Sequence, residues 1–568
     1  MRTFTRLLLF LSFFLFVSPA SFSKNFSPYG GTIVLSTTSD PKSFNDIIAK
    51  ETSTTAVTSL IFEGLTTVNA FNLKVEPNLA KSWTISEDGL TWTFYLRKDV
   101  LWNDGVPFSA DDVVFTFNSL IYNDEIPSSS RDIFTIDGKK FDIKKIDDGT
   151  VQFILPVKFA PFLRSMGQSI LPKHKLEEVV KNKKFNFTWG IDTNPYEIVG
   201  TGPFQLVAYK PGERLVFKSN PYYWKKSAQG QKLPFLEKIV YLIVQNPETA
   251  LLKFIDGELD YYALSGKDFP LLKPQEKKNN FTIFETGPSF GTNFIVFNQN
   301  LGVNEKTQKP FVEEKKLKWF TNVSFRQAVS HAIDRKKIIE ILNNGLGFEQ
   351  YSPISQADGF WYNPDVKTYG YDLDRARRIL KEAGFEDRNK DGIIEDSDGS
   401  PVEFNLYTNS GAIERIQIAG IIIHDLEKLG MKVNFKILEF NALVSKLTST
   451  FDWDAILLGL TGGGADPHFG QNVWISSGQL HMWYPRQKEP ATHWERRIDE
   501  IFSEAVKELN EETRKKLYDE FQMIVSEQVP LIYTVLTSNI FAVRNKFGNL
   551  KPTNYGGPFH NIEEIYIK

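Results

Sequence analysis

Ala412-Ile413-Glu414-Arg415-Ile416-Gln417-Ile418-Ala419-Gly420-Ile421-Ile422-Ile423-His424-Asp425-Leu426-Glu427-Lys428-Leu429-Gly430-Met431-Lys432-Val433-Asn434-Phe435-Lys436-Ile437 is the stretch that decides the fold class. Ile416, Ala419, Ile423 and Leu426 recur at helical spacing and share one stripe. Gly430 stops that helix, since glycine accepts the left-handed geometry of a helix end. Met431, Val433, Phe435 and Ile437 then alternate with Lys432, Asn434 and Lys436, so a strand follows directly. A helix delivering its chain straight into a strand is α/β wiring. Working outward, Ala455 to Leu458 is a continuous apolar run, the pattern of a strand covered on both faces. Asp372 or Asp374 opens a helix with Ala376, Ile379, Leu380 and Ala383 on one side and Gly384 at its end. Ser324 with Gln327 reads as a capping box for a helix burying Ala328, Ala332 and Ile333. Asp334 caps its continuation, which reaches Leu342 and meets Gly345. Residues 295–530 are thus expected to form a mixed or parallel sheet flanked by helices. Residues 66–194 differ. They hold short strands and turns, such as Trp92, Phe94 and Leu96 on one face, and Val151, Phe153 and Leu155 after the Asp148-Gly149 turn.

The chain has 568 residues, enough for about three to five structural units. Its 66 Lys and Arg nearly balance 69 Asp and Glu, which argues against a nucleic-acid partner. Aromatic residues reach 14%, enough for large cores and for flat apolar walls in a cleft. There is no cysteine, which excludes disulfides, thiolate metal sites, cysteine nucleophiles and a lipid-modified N-terminal Cys. Arg2 and Arg6, the apolar run Leu7 to Val17, and the small residues Ser18, Ala20, Ser21 and Ser23 form a secretory signal peptide pattern. Cleavage after Ala20 or Ser23 would leave an exported chain without a membrane anchor. The expected location is periplasmic.

Catalytic signatures are missing: there is no HExxH, no GxSxG and no GxxxxGK[ST]. His468 and His481 lie near each other in sequence but lack a third ligand at metal spacing. Asp452 and Asp454, two apart and on one face if they lie on a strand, are the paired carboxylates that an exported hydrolase would use, with ordinary polar residues at a strand edge as the alternative. The more informative segment is Gly462-Gly463-Gly464-Ala465-Asp466-Pro467, just after the buried run. Ligands sit outside the carboxyl ends of strands in open α/β sheets. Glycines let the backbone approach a ligand, and Asp466 offers a carboxylate for a cationic group such as an α-amino terminus. Its alternative is a tight turn capped by Asp466. A second segment, Asp387-Arg388-Asn389-Lys390-Asp391-Gly392-Ile393 through Asp398, follows the D-x-N-x-D-G calcium-loop pattern. Asp387, Asn389, Asp391, the Ile393 carbonyl and Asp398 would be the ligands of a structural calcium. An acidic surface turn is the alternative. No cofactor is required by the sequence.

Several motifs in order resemble those of one family. They are Ala80-Lys81-Ser82-Trp83, Asp88-Gly89-Leu90-Thr91-Trp92-Thr93-Phe94-Tyr95-Leu96-Arg97, Trp102-Asn103-Asp104-Gly105 and Phe108-Ser109-Ala110-Asp111-Asp112-Val113. Gly200-Thr201-Gly202-Pro203-Phe204 and Asn220-Pro221-Tyr222-Tyr223-Trp224 follow, then Arg326-Gln327-Ala328 with Ala332-Ile333-Asp334-Arg335, and Asp374-Arg375-Ala376 with Leu380-Lys381-Glu382-Ala383-Gly384. On these the chain resembles the family 5 extracellular solute-binding proteins, the oligopeptide and dipeptide receptors of ABC importers.

The resemblance implies an α/β, two-lobed periplasmic binding protein fold with a hinge and an additional inserted domain. Residues 1–23 would be the signal peptide, 24–65, 195–294 and 531–568 a discontinuous lobe I, 66–194 the inserted domain II, and 295–530 lobe III. The hinge would lie near Gly291-Thr292-Asn293-Phe294 and near Leu531-Ile532-Tyr533. In peptide receptors of the family an Asp in an Ala-Asp-Tyr segment pairs with the peptide α-amino group. Ala465-Asp466 falls there, with Pro467 in place of Tyr. The expected protein is a monomeric, non-enzymatic receptor that closes on a peptide and delivers it to a membrane permease. Main chain at Gly462, Gly463, Gly464, Phe290, Gly291 and Thr292 would bind the peptide as an added strand, and Phe290, Trp474 and Trp483 would wall the cleft. Trp83 and Trp92 belong to cores. Relatives also bind nickel chelates, oligosaccharides or opines, and an oligosaccharide is the alternative ligand.

Overall fold

The structure, a computed structural model, describes residues 27–568 apart from Lys50, Ser129, Asp137 and residues 463–465. The expected signal segment and Gly463 and Gly464 lie outside the described residues. No helix among the described residues is long and apolar enough to cross a membrane.

The deciding stretch forms the helix Ile413–Lys428, breaks at Gly430 with φ +82, and continues as the strand Lys432–Leu438. That strand edges a five-stranded sheet in the order Lys432–Leu438, Glu403–Asn409, Ala455–Leu460, Thr292–Phe297, Leu531–Tyr533. The first two pairings are parallel and the last two antiparallel, a mixed sheet. Its centre explains the apolar run. Ala455 and Leu457 point into one core with Ile418, Ala419 and Ile422. Ile456 and Leu458 point into another with Ile498, Phe502 and Phe521. Period-two alternation between two apolar layers leaves no polar position in the run. The helices follow their caps, with one change. Asp334 accepts from the Lys337 amide and Asp372 from that of Arg375, whereas Asn322, not Ser324, caps the helix Val323–His331.

The first lobe holds a sheet in the order Thr32–Thr37, Lys238–Ile243, Arg214–Ser219, Phe204–Lys210. A second sheet there orders Tyr261–Leu264, Val535–Arg544 and Phe281–Pro288. The short strand Gly347–Glu349, from within 295–530, adds to Val535–Arg544. Residues 66–194 carry an antiparallel sheet of Ala80–Ile85, Thr91–Leu96, Thr150–Ile154 and Asp142–Asp147. Trp92, Phe94 and Leu96 bury on one face as the alternation requires. Their core is continuous with Leu206 and Phe217 of the first lobe, so these two regions pack as one unit.

The chain crosses between lobes twice. Strand Phe281–Pro288 belongs to the first lobe and Thr292–Phe297 to the second. Leu531–Tyr533 pairs in the second lobe and Val535–Arg544 in the first. The crossings therefore fall at residues 289–291 and at Thr534. The segments 292–294 and 531–533, expected in lobe I, are sheet members of the second lobe. At the first crossing the turn residues Thr286-Gly287-Pro288-Ser289 stand just before the expected boundary, whereas at the second Thr534 is the one polar residue in an otherwise apolar run from Leu531 to Leu536. The two crossings are bonded to each other: Thr534 N–H donates to the Asn293 carbonyl at 2.8 Å and Ser289 N–H to that of Thr537 at 2.8 Å.

The Arg326-Gln327-Ala328 and Asp334-Arg335 motifs brace the second crossing. Both guanidinium groups are buried. Arg326 donates to the carbonyls of Phe320 at 2.6 Å and Gln528 at 2.8 Å. Arg335 donates to the Tyr533 carbonyl at 2.6 Å, to Ser330 at 3.0 Å and to Tyr369 at 3.2 Å, and lies over the Tyr351 ring. A planar five-donor group satisfies several carbonyls that a lysine would leave unmet. We therefore expect Arg335→Ala to lose at least about 3 kcal/mol, since each bond to a charged donor contributes about 1.5–3 kcal/mol. Arg335→Lys should recover little of it. Urea unfolding midpoints check both, and a wild-type midpoint for Arg335→Ala would contradict the bracing role.

Candidate functional site: the inter-lobe cleft

The lobes meet around a cleft of three adjoining chambers. The first, about 510 Å³, is walled by Phe290, Phe294, Leu460, Trp474, Phe521 and Tyr533 among others. The second, about 960 Å³, lies against the inserted region and carries Glu63, Arg164, Lys225 and Glu563. The third, about 460 Å³, is bounded by Phe71, Phe360 and Asn554. Phe469 borders the first and second, Phe290 the first and third, and Tyr555 the second and third. The inserted region touches the second lobe across the cleft. Ala160 N–H donates to the Val506 carbonyl at 2.7 Å, and the Phe159 ring meets His468 edge-on with centroids 5.7 Å apart.

Asp466 is not a free carboxylate at the rim. It is buried, and both its oxygens accept from Arg514, at 2.5 and 2.7 Å. Arg514 lies over the Trp361 and Tyr518 rings and donates to the Ala505 carbonyl at 2.8 Å. The pair fastens the loop that supplies Pro467 and Phe469 to the chamber wall. Asp466 also accepts from the His468 amide at 3.0 Å, which caps the short turn after it. An ammonium group would have to displace a bidentate guanidinium to reach this carboxylate, so the sequence-based assignment of Asp466 as amine receiver is corrected.

The other expected residues divide. Phe290, Thr292, Gly462 and Trp474 line the first chamber. Phe290 meets Tyr555 edge-on at 5.8 Å. Gly462 and Gly291 serve chain-to-chain approach. A Cβ on Gly462 would lie 1.6 Å from the Phe290 carbonyl oxygen, and one on Gly291 3.0 Å from that of Leu460. Thr292 pairs with Leu460 on one edge, and the strand Leu531–Tyr533 on the other side is in register only from Phe294 onward. Trp483 is a core residue, 1% exposed, donating to Glu495 at 3.0 Å, and does not wall the cleft.

Asp387, Asp391 and Glu395 bring carboxylate oxygens within 4.8 Å of one another. Asp398, the expected closing ligand, pairs instead with Lys318 at 3.0 Å. Asn389 Nδ2 donates to Asp391 at 3.0 Å, and the Ile393 amide donates to Asp391 at 2.8 Å. The loop also packs beneath the helix end, where the Ile394 amide bonds the Gly430 carbonyl at 2.9 Å. Asp452 and Asp454 are occupied separately, by Lys446 at 3.0 Å and by Lys316 at 3.0 Å. Neither lines a chamber of the cleft described here.

Sequence reasoning missed two residues of the site. Arg514 lies 48 positions from Asp466 on another element. Asp358, in Ser355-Gln356-Ala357-Asp358-Gly359, lines the first chamber as its one charged side chain among the described residues. It is 8% exposed and its Oδ1 has no hydrogen-bond partner. Burial pushes its pKa up to about 7, against the pull of the Ser355 amide and of Arg164. No motif flagged it.

Two outcomes follow from this geometry. Asp466→Ala leaves Arg514 buried and unpaired, so it should cost about 3–5 kcal/mol of stability, which urea unfolding measures. A ligand-affinity loss with unchanged stability would contradict that reading. His468 is held near pKa 4 by burial, opposed by Asp466 and assisted by Arg514. Its neutral form is favoured by the fold, so its contribution is complete above the ordinary value of about 6.5 and lost as pH falls toward 4. His468→Gln should flatten the fall in melting temperature between pH 6 and pH 4. An unchanged slope would show that other groups cause it.

The profile of bacterial extracellular solute-binding proteins, family 5, middle region, matches residues 74–481. A probable ABC transporter-binding protein of Deinococcus radiodurans is 30% identical over 83% of this chain and 82% of its own length. The oligopeptide-binding protein AppA of Bacillus subtilis, solved in complex with a nonapeptide, superposes with a TM-score of 0.70 at 25% identity, over 95% of this chain and 100% of that one. NikZ of Campylobacter jejuni, solved in complex with Ni(L-His), gives a TM-score of 0.71 at 26% identity, over 94% and 99%. Members of this family are extracellular or periplasmic substrate receptors of ABC importers rather than enzymes, and the chain described here belongs to the family 5 extracellular solute-binding proteins.

Proposed function

We propose that this protein is a peptide receptor. It would be exported under residues 1–23, capture peptides between its lobes in the periplasm and present them to a membrane permease. The observation that carries this reading is the unlike chemistry of adjoining chambers in one cleft. The first chamber is walled mainly by aromatic and aliphatic side chains, with Thr292, Ser355, Thr461 and a single carboxylate among them, while the second carries Glu63, Arg164, Lys225 and Glu563. A peptide is the ligand whose consecutive side chains differ in this way. An oligosaccharide could stack its sugar faces on the aromatic wall of the first chamber, but its repeating neutral units have no use for the charged groups of the second. The names of relatives add support, since AppA was solved with a nonapeptide.

Closure removes water from the chambers, which strengthens the polar contacts inside. A ligand drives closure only to the extent that it binds the closed form more tightly. Native mass spectrometry of protein purified from its host should find bound peptides. A mixed peptide library should raise the melting temperature, with stabilisation of about 2.7 kcal/mol at a hundredfold excess over Kd. Stabilisation by cello- or manno-oligosaccharides and never by peptides would overturn the reading.

A further inference from the structure

Among the described residues of the second lobe, Asp358 is the buried charged group whose carboxylate is left with an unbonded oxygen and no ion pair. Arg326 and Arg335 are met by carbonyls and Arg514 by Asp466. Asp358 is buried at the wall of the first chamber, yet its Oδ1 makes no hydrogen bond. Its position is fixed from both sides. Ser355 Oγ donates to the Ser289 carbonyl at 2.7 Å, tying the segment to the first crossing. The backbone turns at Gly359, φ +52, and Trp361 packs edge-on against Tyr518 beneath Arg514. A carboxylate set this firmly in an apolar wall is costly unless an opposite charge arrives.

We propose that Asp358 receives the cationic group of the ligand, the α-ammonium of a peptide whose first, apolar side chain fills the first chamber. This rests on the peptide reading above. It assigns to Asp358 the place that the sequence pattern gave to Asp466, which Arg514 already occupies. The aromatic and aliphatic wall around it excludes water and selects an apolar first residue. Arg164, from the inserted region, is the nearby cation and forms no ion pair with it. Tyr533, the other ionisable side chain on this wall, is kept neutral by burial. The incoming ammonium is therefore the group that completes the site.

The test is calorimetric titration with peptides of apolar first residue, each in free and N-acetylated form, into the wild type and Asp358→Asn. The wild type should prefer the free amine about 10- to 100-fold, the difference a charge-assisted hydrogen bond makes. Asp358→Asn should abolish that preference while its unfolding midpoint at pH 8 stays at or above the wild-type value, since no buried partner is stranded. In the wild type, affinity for the free amine should be greatest where the peptide amine, of ordinary pKa about 7.7–8.0, is protonated and Asp358 still ionised, and should fall from pH 7 to pH 5 while that for acetylated peptides stays flat. This second measurement holds even if the variant fails to fold. An amine preference untouched by Asp358→Asn, or a flat pH profile, overturns the assignment of Asp358 alone. Failure of every peptide to bind the wild type overturns the peptide reading along with it.

Discussion

A charge taken out of water must be met by an opposite charge or by oriented dipoles, and this rule sorts the residues of the second lobe. Arg326 and Arg335 are met by main-chain carbonyls around residues 320, 330, 369, 528 and 533. They fix the path of the chain into the second crossing. Arg514 and Asp466 meet each other and fix the loop beside the cleft. One oxygen of Asp358 is left without a hydrogen-bond partner, in a chamber with no other charged side chain among the described residues. Unmet charge in a concave site is what separates a residue awaiting a ligand from one serving the fold.

The same lobe is built as one body, as closure on a ligand would require. Its sheet is covered on both faces by separate cores, so it moves as a body. The first lobe and the inserted region share one core and form the opposing body. Only residues 289–291 and Thr534 carry the chain between these bodies, and the two crossings are hydrogen-bonded to each other. Beside the crossings the bodies are also joined by the strand Gly347–Glu349, which pairs with Val535–Arg544, while Ala160 with Val506 and Phe159 with His468 meet on the side of the inserted region.

Much of the fold was legible because it rests on local period. The helix and strand around Gly430, the doubly covered run Ala455–Leu458 and the alternation at Trp92, Phe94 and Leu96 all follow from spacing alone. The site was less legible because its logic is non-local. Nothing near Asp466 announces Arg514, and two aspartates beside glycines look alike until their partners are known. Trp474 and Trp483 meet at a tilt with ring centroids 5.7 Å apart, yet one reaches the chamber wall and the other bonds Glu495 in the core. The first crossing was placed a few residues late although Thr286-Gly287-Pro288-Ser289 carries turn residues there, and the second a few residues early because only Thr534 interrupts the apolar run from Leu531 to Leu536.

The central claim is that two rigid bodies close on a guest. Since the chain has no cysteine, Glu87→Cys on the inserted region and Lys507→Cys on the second lobe would be its sole thiols and can carry a pair of spin labels. Their distance distribution, measured by pulsed electron resonance without and with a saturating peptide, should be broad and long when free and short and narrow when loaded. An identical distribution in both states, with a peptide shown to be bound, would contradict the account.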